Sequence, residues 1–206
     1  MKKIALVLSC LIVVLGVAAS CGQSVAGVGE YVPGVCDNNK YSSDWLAFKF
    51  VPTKNLYLSS ADEIEELLEL SADMFYVDEE TGEEYLDWAR VTTVYEMMAT
   101  DTETGDSVIV MTEKLGSDEI GVDEYIEALK AQMNEQSEIT AAFADASQVK
   151  VAGGEYTRFA YTLTFEGIDI AQAMYLRKIG DRMVSICITA ENEEAEAAIM
   201  ACFKAN

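Results

Sequence analysis

The sequence predicts an α+β layered domain built on an antiparallel β-sheet. Three observations predict it. Three segments place apolar residues at the spacing of a helix face. The stretches between them contain apolar runs of strand length, bounded by turn residues. Several of those runs are joined by connections short enough to be hairpins, and hairpins join antiparallel neighbours. Helices inserted between groups of hairpin strands give a layered α+β arrangement.

The first strand is expected over Trp45–Val51, ending at Pro52. A helix follows, with Ile64, Leu67, Leu68, Ser71 and Phe75 on one face. Ser60 with Glu63 three residues later has the form of a capping box at its start. Val91–Ala99 and Val108–Lys114 read as two strands around Asp101-Thr102-Glu103-Thr104-Gly105-Asp106, whose residue types suit a hairpin loop. Val122, Tyr125, Ile126, Leu129 and Met133 repeat the helical spacing. Glu155–Thr164, Ile168–Lys178 and Arg182–Thr189 then form a meander, turning at Glu166-Gly167 and Gly180-Asp181. The last helix carries Ala195, Ala198, Ile199, Cys202 and Phe203 on its apolar stripe. Its first turn is rich in glutamates, which the helix dipole favours there.

Ahead of this domain, Met1-Lys2-Lys3 is basic, Ile4–Val17 is almost wholly apolar, and Ala18-Ala19-Ser20 is a run of small residues stopping at Cys21. These are the parts of a secretory signal peptide. The apolar run is shorter than the ~20 residues a spanning helix needs. An ordinary signal cut near Ser20 or an uncleaved anchor is the plainer reading. Two details favour lipidation: Cys21 stands at the junction, and residues 22–40, with Gly27, Gly29, Pro33 and Gly34, read as a tether. The junction resembles the lipobox of bacterial lipoproteins, although Ala18 stands where a larger aliphatic residue is usual. The expected organisation is a signal over residues 1–20, a lipidated N-terminus and tether over 21–40, and a folded domain over 41–206. The expected location is extracytoplasmic and lipid-anchored at the cell membrane.

Loss of residues 1–20 leaves 186 residues with 12 basic and 36 acidic groups, a net charge of −24. That balance repels nucleic acid and anionic lipid headgroups and favours cationic partners. The chain contains no histidine, which excludes a Ser-His-Asp or Cys-His nucleophilic site and the usual His-ligated catalytic zinc. Cys36, Cys187 and Cys202 lack paired metal-ligand spacing. Cys187 and Cys202 read as buried apolar positions, with a bridge between them left open. Ser147-Gln148-Val149-Lys150 matches S-x-x-K in letters but has no companion motif and leads into a strand. Residues 60–87 hold twelve carboxylates and no basic residue. Within them Asp78–Glu83 echoes Asp101–Asp106, yet neither segment has the glycine and glutamate positions of an EF-type calcium loop. Acidic turns are expected at both, with weak cation binding as the alternative. Tyr156, Tyr161 and Tyr175 read as sheet aromatics rather than a ligand platform.

Taken together, Trp45-Leu46-Ala47-Phe48-Lys49-Phe50-Val51-Pro52, Glu96-Met97-Met98-Ala99, Asp123–Lys130 and Gly153-Gly154-Glu155-Tyr156 resemble the PsbP-like family, named for the extrinsic protein of photosystem II. The resemblance spans about Tyr41 to Lys204, mostly as a pattern of elements. It implies an antiparallel β-sheet packed between α-helices, an α/β/α sandwich, and a non-enzymatic role in protein association, with no catalytic motif and no cofactor. The expectation is a membrane-anchored lipoprotein whose domain binds a protein partner or assembles a complex, with Cys21 as the lipidated residue and no catalytic or metal site. The alternative is a lipoprotein that captures a cationic peptide or Ca²⁺ at the cell surface.

Overall fold

Strands that are apolar on both sides must be covered on both sides, and several strands among the described residues are of that kind. The structure, a computed structural model, describes residues 30–75, 92–136 and 139–206. In chain order its elements are β1 (Val35–Asp37), β2 (Lys40–Ser43), β3 (Phe48–Phe50), β4 (Leu56–Leu58), α1 (Ala61–Phe75), β5 (Thr93–Asp101), β6 (Ser107–Lys114) and α2 (Val122–Glu135). There follow β7 (Ile139–Phe143), β8 (Ser147–Val151), β9 (Gly154–Phe165), β10 (Ile168–Ile179), β11 (Arg182–Thr189), α3 (Glu193–Met200) and β12 (Phe203–Ala205).

The central sheet runs β4-β5-β6-β11-β10-β9-β7, with β8 on the same flank of β9 as β7, and all its pairs are antiparallel. The expected meander β9-β10-β11 is present, and β11 joins it to the β5–β6 hairpin. Residues of β6, β10 and β11 alternate between two cores. Ile109, Met111, Met174, Leu176 and Met183 face one; Val108, Val110, Tyr175, Val184 and Ile186 face the other.

The first core is closed by helices. Of the α2 stripe read from spacing, Tyr125, Ile126, Leu129 and Met133 are buried in it and Val122 is partly buried, beside Leu68 of α1. Helix α1 starts at the capping box read from the sequence, and α2 at a contact the sequence reading did not name. The Ser60 amide and hydroxyl donate to the Glu63 carboxylate at 2.7 and 3.0 Å while the Glu63 amide donates back to Ser60 Oγ. Gly121 N–H donates to Glu124 at 3.0 Å.

The second core differs from expectation. Helices on both faces were expected, but this face is covered mainly by a second sheet, β1-β2-β3-β12, with α3 beside it. Tyr41, Phe48, Phe50 and Phe203 supply its inner face, and Phe203 packs edge-on to Phe48 and Phe50 with ring centroids 5.2 and 4.9 Å away. The layers are therefore helix, sheet, sheet. Two boundaries explain the difference. The final helix, capped by Asn192 accepting from Ala195 N–H, ends at Met200, so Phe203 belongs to a strand paired with Phe50. Ala198, expected on the buried stripe, is exposed. The first expected strand is also shorter: Asp44–Ala47 form a turn, held by Leu46 N–H donating to Ser43 Oγ and with Ala47 at φ 59°, and extended pairing begins at Phe48.

Residues expected to lie in the tether take part in this sheet. Val35–Asp37 pairs with Lys40–Ser43 across Asn38 and Asn39, both at positive φ, the conformation of a tight two-residue hairpin. Tyr31 packs edge-on against Trp45 at 5.0 Å. Cys21 and the signal segment lie outside the described residues, as does the acidic loop Asp78–Glu83.

Candidate functional site

The polar feature that positions the N-terminal segment begins with an irregularity in β5. The β5–β6 register shifts between Tyr95 and Met97, inserting Glu96 as an extra residue. The bulge turns Glu96 toward the second core, where it is only 8% exposed. Its carboxylate accepts from Tyr31 O–H at 2.7 Å, Gly34 N–H at 2.7 Å and Tyr41 O–H at 2.8 Å. Hydrogen bonds to an ionised acceptor are shorter and stronger than neutral ones. Arg182 lies over the Tyr31 ring, its guanidinium carbon 3.9 Å from the centroid. Burial, reinforced by the Glu96 charge, pushes the Tyr41 phenol well up. Burial also raises Tyr31, with a bond to Thr112 opposing and Glu96 adding to it. Both phenols are therefore donors. Gly34 is required here, because a Cβ would sit 2.3 Å from the Tyr41 hydroxyl.

Beside this clasp, α1 and the start of β5 enclose a cleft of about 420 Å³, lined by Cys36, Ser60, Ile64, Leu68, Thr93 and Glu96 among others. Cys36 is exposed, and its thiol is pushed up by partial burial and by the Glu96 charge. A raised thiol is a poor nucleophile.

A second cleft, of about 340 Å³, lies over the middle of β9 and the first half of β10, beside α3. Its floor is small residues, Ala142, Ala160, Ala171 and Ala173, and its rim carries an ion pair. Arg158 donates two bonds to Glu196, each 2.7 Å, and Tyr175 O–H donates to the same carboxylate. Burial opposes the Glu196 charge, but the bonds from Arg158 and Tyr175 outweigh it and hold the carboxyl below its ordinary value. A second buried carboxylate, Glu113 of β6, accepts from Tyr125 O–H of α2 at 2.6 Å, tying a helix to the sheet. In all three places the carboxylate oxygens are engaged by donors of the fold itself.

The other motifs resolve in the same way. Ser147 and Lys150 lie three apart on strand β8, which puts them on opposite faces. That geometry removes the S-x-x-K pairing. In the Asp101–Asp106 loop, Asp101 Oδ1 accepts from the Glu103 and Thr104 amides, Asp106 accepts from Thr104 O–H, and Gly105 stands at φ 87°. This is an acidic hairpin turn. Among the described residues no group of three or more acidic or cysteine side chains is placed to hold a metal ion. Cys187 faces the helix-covered core and Cys202 the other, so the central sheet separates them and the bridge left open by the sequence does not form. Tyr156, Tyr161 and Tyr175 are buried, and so belong to the sheet and not to a ligand platform. Among the described residues no helix is long and apolar enough to cross a membrane.

Sequence reading missed the Glu96 clasp. Glu96 sits in an apolar strand of β5, and the signal that could have marked it is a lone acid at a position of mixed alternation, with two tyrosines and a glycine in the segment before the domain.

No protein family model matches the chain, and no curated protein matches it. Among solved structures, the chain is similar to cyanobacterial PsbP from Synechocystis sp. PCC 6803, determined in solution. The likeness covers 89% of this chain and 99% of that one, at 7% identity and a TM-score of 0.48. It carries nothing about function.

Proposed function

We propose that this chain is an extracytoplasmic lipoprotein, anchored through Cys21, whose folded domain is a non-enzymatic binding module for a protein partner at the membrane. The observation that supports the reading is the clasp on Glu96. It fixes the N-terminal segment from Tyr31 onward against the domain, leaving ten residues from Cys21 to Tyr31. A domain held on so short a lead stays beside the membrane and presents a fixed set of faces, which suits docking to a membrane-bound partner. The acidic helix α1, with Asp62, Glu66 and Glu69 exposed, is the surface assigned to a cationic partner. The buried Glu96 and Glu113 and the half-buried Glu196 support a structural use, since each is engaged by the fold.

The test is crosslinking in cells followed by mass spectrometry of the membrane fraction, with Cys21→Ser as control. The expected result is one enriched membrane protein crosslinked through α1 and lost in the control. Enrichment of nothing above the control, or robust turnover by the purified protein on a broad hydrolase panel, contradicts the reading.

A further inference from the structure

Charge is unevenly placed in this fold. Helix α1 carries Asp62, Glu63, Glu65, Glu66, Glu69 and Asp73 with no basic residue, and α2 carries four acids against Lys130 alone. Both helices cover one side of the central sheet. The small sheet on the other side is different. Alternation turns Tyr41, Phe48, Phe50 and Phe203 inward, which leaves Lys40, Lys49 and Lys204 on its outer face together with Val35, Asp37 and Ser42. Lys49 and Lys204 are direct partners on adjacent antiparallel strands, an arrangement that costs stability when the charges match. All three lysines are exposed, and among the described residues no carboxylate lies within ion-pair distance of them. The chain as a whole, at net charge −22, repels an anionic surface; this face, with three lysines against Asp37, is the local exception and is complementary to one.

Two further observations say which surface. Val32 and Val35, each 62% exposed, are two of the three large apolar side chains left exposed among the described residues, and both lie on the N-terminal segment. That segment leads back from Tyr31 to Cys21 over ten residues, a reach of at most ~35 Å. The three lysines and Val35 thus share the small sheet, and Val32 stands three residues ahead of it on the segment that leads back in sequence to Cys21. Lysines beside exposed apolar groups are the side chains that engage headgroups and the acyl boundary together.

We propose that the outer face of the small sheet, through Lys40, Lys49, Lys204 and the Val32–Val35 edge, lies against anionic membrane headgroups, and that the acidic helix layer faces away from the membrane. This rests on the lipid anchor at Cys21. Anchoring confines the domain near the bilayer, and the lysine face decides which way round it sits.

The test uses the full lipidated chain in vesicles of phosphatidylcholine alone or with phosphatidylglycerol. Lysines are acetylated with a water-soluble reagent and quantified by mass spectrometry. The expected result is that Lys40, Lys49 and Lys204 are modified about fivefold more slowly on the anionic vesicles, an effect of the order expected for headgroup attraction. Lys130 of α2 is expected to be unaffected, and high salt to remove the difference. Lys49→Glu with Lys204→Glu, both at the surface, is expected to abolish the protection of Lys40. Equal modification on both vesicle types, or protection at Lys130 instead, in a chain that floats with the vesicles overturns this proposal and leaves the anchor standing. A chain that floats with neither vesicle overturns the anchor and this proposal with it. Protection of the three lysines in native membranes but not in pure lipid assigns the face to a protein and also overturns it.

Discussion

Glu96 decides where the folded domain begins. Three donors converge on one buried carboxylate, and two of them come from the segment ahead of β1. Glu96→Gln keeps the size but replaces one acceptor oxygen with a donor and removes the charge. It is expected to cost about 1–3 kcal/mol, read by urea unfolding, and to make residues 30–37 susceptible to limited proteolysis. Gly34→Ala is expected to release the same segment because its Cβ meets the Tyr41 ring; resistance to proteolysis equal to wild type in both variants contradicts the clasp. Glu196 gives a pH prediction. Its folded value lies below its ordinary value of 4.5, so near that pH the folded chain binds fewer protons than the unfolded one. The stability this supplies is present above pH 4.5 and is lost as pH falls through the lower folded value. Arg158→Met is expected to flatten that part of the stability–pH profile. Of Cys36, Cys187 and Cys202, only Cys36 is exposed. One thiol is expected to react with a disulfide reagent in the native chain, and Cys187 and Cys202 only on unfolding.

Among the elements, those with a strong internal pattern were legible in the sequence. Helix α2 buries four of the five residues its spacing named and leaves Val122 partly buried, and the β9–β11 meander turns where Glu166-Gly167 and Gly180-Asp181 predict. The elements that were not legible are short and owe their form to distant partners. β12 is three residues, and Phe203 continues the helical spacing of α3; only pairing with Phe50 makes it a strand. β1 was hidden in a segment of glycine and proline, and its hairpin depends on two asparagines at positive φ. β7 and β8 lie end to end along β9, with no apolar run of their own strong enough to mark them. The clasp was illegible because it is built from residues 62 and 65 positions apart, and sequence spacing carries no signal at that range. The opposed Lys49 and Lys204 give a prediction at this scale. Lys49→Glu turns a repulsive cross-strand pair into an attractive one and is expected to raise stability by ~0.2–1 kcal/mol, measured by thermal unfolding. A fall in stability contradicts the register of β3 and β12.

At the scale of the whole molecule, one side of the central sheet is acidic and helical, and the other carries the small sheet that leads back to Cys21. The two sides suit different neighbours: a cationic partner on α1, anionic headgroups under Lys40, Lys49 and Lys204. Both assignments depend on where the chain is held. The most direct measurement is the intact mass and N-terminal peptide of the mature protein recovered from membranes. The account predicts that residues 1–20 are absent and that Cys21 is the first residue, carrying lipid on its thiol. A mature chain that begins elsewhere, or begins at Cys21 with an unmodified thiol, contradicts it.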